Sequence, residues 1–121
     1  MTEQQAVRSI RESDRRGSER LLLDVPLVVR GTTAEKAPFQ EETFTVSVSA
    51  HGALVVLATP VELGQPVFLV NLQTQEEREG RVARFGSLYG GLAQVGIEFA
   101  QPAPEFWRVD APPRSWKSVQ A

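Results

Sequence analysis

The sequence predicts an all-β protein, a six-stranded antiparallel barrel with a flexible N-terminal arm and a short C-terminal helix. Short runs of strand-forming residues recur at close spacing from Leu21 onward, and several alternate polar with apolar residues. No stretch carries a sustained helical repeat. Closure into a barrel is expected because it removes the unpaired edges that an open sheet leaves exposed. With 121 residues, the chain has the size of one domain with a modest core.

Residues 1–14 are polar and charged and are expected to form the arm, with Val7, Ile10 and Arg11 as one face of a short helix. The barrel is expected over 15–109 and a tail over 110–121. Strand one is Leu21 to Val29, with Pro26 at an edge or bulge because proline has no N–H for the ladder. A loop with Gly31, Lys36 and Pro38 leads to strand two, Thr43 to Val48, whose alternation places Phe44, Val46 and Val48 on one face and Thr43, Thr45 and Ser47 on the other. Ala53 to Ala58, Val67 to Leu72, Gly80 to Phe85 and Ala93 to Phe99 are the remaining strands, with Gln73 to Glu77 as a hairpin connection. Beyond Pro104, Glu105 to Val109 are expected to make one or two helical turns, with Phe106 and Trp107 capping one barrel opening.

Composition narrows the function. A net charge of -2 argues against a general nucleic-acid binder, which needs a broad basic surface to displace counterions. There are no cysteines, so disulfides, thiolate chemistry and cysteine metal sites are excluded. The polar start, Met1 to Gln5, is unlike a secretory leader, and no apolar run approaches the ~20 residues needed to span a bilayer. A cytoplasmic protein is expected. His51 is the single histidine and reads as a solvated turn residue; Glu41-Glu42 and Glu76-Glu77 sit in polar stretches where solvation is the default. Neither a phosphate-binding glycine loop nor a catalytic relay stands out, so no enzyme, metal or cofactor is expected.

Two segments can carry binding. Arg16 and Arg20 lie four apart, and guanidinium forks match both phosphate oxygens and the O6 and N7 edge of guanine. Ser47 and Ser49 differ by two, so their hydroxyls share a face of the strand, and Gly52 follows where the chain reverses. Together they point to a barrel that binds a phosphorylated guanine ligand at its open end. On spacing alone, the arginines are better read as partners of Asp14 and Glu19 on a solvated arm, and the serine segment is a common hairpin pattern.

In order and spacing these pieces resemble the PilZ domain: Arg16 and Arg20, Pro26 six residues later, Ser47 to Gly52, and Val95-Gly96-Ile97-Glu98-Phe99. The resemblance covers about Arg15 to Phe99. It implies a six-stranded barrel of the split-barrel type and a bacterial signalling receptor for the nucleotide cyclic di-GMP. Carried over by position, Arg16, Arg20, Ser49 and Gly52 are the implied ligand-binding residues, Ser47 occupies the first position of the second motif, and Arg15, just before the pair, is expected to supply a further phosphate or stacking contact. Output is expected to pass through an effector protein. Ser47 stands where the family commonly has Asp or Asn, and its single oxygen cannot accept both the N1 and N2 hydrogens of guanine. By analogy with base readout, that loss costs ~1 to 3 kcal/mol. The alternative is therefore a degenerate adaptor that binds protein and not nucleotide, with Phe106, Trp107 and Trp116 as an apolar surface.

Overall fold

Alternation in the sequence becomes alternation in burial. In the computed structural model, which describes residues 8–10 and 18–117, Leu27 and Val29, Val55 and Leu57, Val67 and Leu69, and Val95, Ile97 and Phe99 all point inward. They come from strands β3 (Pro26–Thr32), β5 (Gly52–Leu57), β6 (Pro66–Asn71) and β8 (Ala93–Phe99). The core is completed by Val48 from β4 (Pro38–Ser49) and Val82 from β7 (Glu77–Phe85). The neighbour order β4-β3-β6-β7-β8-β5, closed by pairing of β5 back onto β4, makes a six-stranded antiparallel barrel as expected. Outside the ring lie β1 (Arg8–Ile10) and β2 (Arg20–Leu22), with β2 antiparallel to both β1 and the end of β4.

The run from Leu21 to Val29 is therefore two strands. β2 and β3 occupy the same edge of β4 in succession, and the break falls at Leu23-Asp24-Val25. Thr45 holds this break together: its hydroxyl accepts from the Val25 N–H at 2.8 Å and donates to the Leu23 carbonyl at 2.6 Å. β4 also starts earlier than its composition suggests. Pro38 to Glu42 opens with a proline and ends in Gln40-Glu41-Glu42, poor strand formers, but it faces β3 along a continuous ladder, and pairing overrides propensity. Glu41 is not simply solvated, because its carboxylate accepts from the N–H groups of Ala58 and Thr59 and from the Thr59 hydroxyl, closing the end of β5. Glu76 and Glu77 pair with Arg108 and Arg30.

One end of the barrel is closed by the C-terminal segment. Here β4 and β8 end and β5 begins, and Ala103 donates its N–H to the carbonyl of Ala50, between β4 and β5. Phe99, Phe106 and Trp107 form an aromatic cluster with centroids 4.8 to 5.8 Å apart. Asn71 donates to the Phe106 carbonyl, and the Trp107 indole N–H donates to the Ser49 carbonyl at 2.9 Å. Residues 104–107 form a turn, so the helix expected there is absent; the one helix of the described residues is α1 (Arg114–Lys117). Trp116 on α1 is fully buried, as are Phe106 and Trp107, so these rings are core and not an exposed apolar surface.

Candidate functional site

Two bulges decide which side chains face outward together. On β4, Val46 is an extra residue relative to β5: Thr45 lies opposite Val55 and Ser47 opposite Leu54. Thr45 consequently turns into the core at 1% exposure while Ser47 stays on the outer wall, so the two do not share a face as the alternation predicted. On β7, Ala83 is the extra residue, and Arg81 and Arg84, three apart, both come to face outward.

The result is two cross-strand rows on the outer wall. One runs Ser49, Gly52, Glu98, Arg81 across β4, β5, β8 and β7. The next runs Leu22, Ser47, Leu54, Gly96, Arg84 and starts one strand earlier, on β2. Ser49, Gly52, Glu98 and Arg81 of the first row and Ser47, Leu54 and Arg84 of the second floor an open groove of about 730 Å³, rimmed by Arg20 and by Leu63-Gly64 of the β5–β6 connection. That volume suits a small molecule. Although the chain is net acidic, the described lining carries three arginines, Arg20, Arg81 and Arg84, against the carboxylate of Glu98. Such a surface attracts anions.

Glycine keeps the floor low. A Cβ on Gly52 would stand 1.9 Å from the Ile97 carbonyl oxygen, so no other residue fits this β5–β8 approach. A Cβ on Gly96 would meet the Arg84 side chain at 2.9 Å, which shows that Arg84 lies across the glycine. The hairpin between Ser49 and Gly52 is anchored on both sides. Ser49 accepts from the His51 N–H at 3.1 Å, and the Phe99 N–H donates to the His51 carbonyl at 2.7 Å.

Among the residues singled out from sequence, Arg20, Ser47, Ser49 and Gly52 come together in this groove. Arg15 and Arg16 lie outside the described residues. Arg20 belongs to a paired strand, and the residue before it is clamped by α1: Glu19 donates its N–H to the Ser115 hydroxyl at 2.9 Å and accepts at its carbonyl from the Trp116 indole at 2.6 Å. The groove lies along the side of the barrel and not at an open end, and the Ser49–Gly52 hairpin sits at the end closed by the aromatic cluster.

Sequence reasoning missed Arg81, Arg84, Glu98 and His51. Glu98 was legible as outward-facing from the alternation of Val95 to Phe99, but its neighbours depend on register. His51 is half-buried in the groove, its Nδ1 2.9 Å from the Ser18 hydroxyl, and is not a solvated turn residue. No group of three or more potential metal ligands occurs among the described residues. No described helix is long and apolar enough to cross a membrane.

A family model for the PilZ domain matches residues 14–106. Among solved structures, the PilZ domain with c-di-GMP of YcgR from Escherichia coli is similar in fold. It is 12% identical, with 88% of this chain and 87% of that chain covered and a TM-score of 0.50. Among curated proteins, none matches the chain significantly.

Proposed function

The chain belongs to the PilZ domain family, and on that premise we propose that it is a receptor for cyclic di-GMP, bound in the groove on the outer wall of the barrel. The observation that carries this reading is the convergence of Arg20, Ser47, Ser49 and Gly52 in one cation-lined groove. Cyclic di-GMP presents anionic phosphodiesters and guanine edges, and guanidinium groups recognise both. In this reading Arg20 grips phosphate or guanine, the Ser47 and Ser49 hydroxyls hydrogen-bond the base, and Gly52 lets a flat ligand approach the wall. Arg16 completes the Arg-x-x-x-Arg pair, with Arg15 beside it.

The receptor has no catalytic duty in this account; its output passes to a partner protein. Glu19 lies between the two motif arginines and is held by Ser115 and Trp116. Ligand that draws the arginines onto the groove therefore acts on the same residue that α1 grips, which offers a path from ligand to the C-terminal surface. Isothermal titration calorimetry is the test. Saturable heat with cyclic di-GMP at micromolar protein is expected, and none with excess ligand refutes the reading.

A further inference from the structure

Glu98 is the only carboxylate among the described residues lining the groove, and its place there follows from register. Resting on the reading of the groove as a cyclic di-GMP site, we propose that Glu98 is the residue that reads guanine. Its carboxylate accepts the N1 and N2 hydrogens of a base lying over Gly52, between Ser49 and Glu98.

Gly52 is opposite Ser49 on one edge and Glu98 on the other, so the three form one row. Neighbouring strands are about 4.8 Å apart, which puts the Ser49 and Glu98 backbones about 10 Å from each other. Gly52 leaves nothing standing between them, and the row offers a flat floor flanked by a hydroxyl and a carboxylate. The Glu98 side chain is 20% exposed and Arg81 lies 3.6 Å from it, so its charge is balanced while the carboxylate still reaches the groove. Position 47 contributes only a hydroxyl, on a residue 3% exposed. A pair of donors on one base edge needs an acceptor with two oxygens. Within the described lining, Glu98 alone provides it. Adenine presents a donor beside an acceptor on the equivalent edge, so a carboxylate at this point selects against it.

The probes are cyclic di-GMP and its inosine analogue, which differs only in lacking the exocyclic amines, titrated into the full chain and into Glu98→Gln. Wild type is expected to bind the guanine form about tenfold more tightly, the worth of a hydrogen bond to a charged acceptor. Glu98→Gln is expected to weaken cyclic di-GMP roughly ten- to a hundredfold and to narrow the gap between the two ligands. A role limited to electrostatics has the opposite sign, because removing a negative charge from the groove tightens anion binding. The inference is overturned if wild type binds both ligands equally, or if the variant binds cyclic di-GMP at least as tightly as wild type. Should the variant fail to unfold cooperatively, Glu98→Ala is titrated in its place with the same expected loss, and affinity at least equal to wild type again overturns the inference. Wild type that binds neither ligand refutes the receptor reading itself, and the inference with it.

Discussion

Thr45→Val isolates the polar staple that sets the position of β2, and with it Arg20. The substitution keeps side-chain volume, so no cavity opens, but it removes the hydroxyl that serves the Val25 N–H and the Leu23 carbonyl at 2.8 and 2.6 Å. Val25 is 3% exposed, so its N–H loses a partner that water does not replace. Leu23 is half-buried, and its carbonyl recovers part of its loss from solvent. A buried donor left unpaired costs about 1–3 kcal/mol, and with the carbonyl the total is about 2–4 kcal/mol. Thr45→Ser is the control: it keeps the hydroxyl and loses a methyl, worth about 1 kcal/mol. Urea unfolding followed by the fluorescence of the buried Trp107 and Trp116 measures both variants. The expected order of stability is wild type, Ser, Val, with an unchanged denaturant slope and a Val midpoint about 8–15 °C below wild type on heating. A Val variant as stable as the Ser variant refutes the assignment of the break between β2 and β3 to this hydroxyl.

Gly52→Ala places a Cβ 1.9 Å from the Ile97 oxygen, and is expected to destabilise by about 1–3 kcal/mol or more in the same urea assay. Trp116→Ala empties a fully buried site and frees the Glu19 carbonyl; a loss of about 3–5 kcal/mol is expected, with faster amide exchange at Glu19 and Arg20 as the local readout. Arg20→Ala is expected to weaken cyclic di-GMP by roughly ten- to a hundredfold in calorimetry, the worth of a charge-assisted contact, while leaving the stability measured by urea unfolding within about 0.5 kcal/mol of wild type. Unchanged affinity in Arg20→Ala would place the ligand elsewhere on the barrel.

Local sequence determined the six barrel strands, because inward and outward residues alternate with period two whatever the neighbouring strand is. Val95 to Phe99 has that alternation in full, and its strand bounds match the expectation. Arg20, Ser47, Ser49 and Gly52 were likewise legible, since their order along the chain carries the family motif. Tertiary structure decided the rest. The extra residues Val46 and Ala83 are defined only against their partners on β5 and β8, and a bulge shifts every face beyond it by one. Hence Thr45 turned inward and Arg81 and Arg84 came to share the wall, while strand pairing gave Glu98 its cross-strand neighbours Gly52 and Arg81. The C-terminal aromatics were equally ambiguous in sequence, because a short apolar segment buries wherever an open barrel end lies within reach. Trp116 meets Glu19 across 97 residues of chain, a contact that no local pattern encodes and that closure of the barrel alone makes possible.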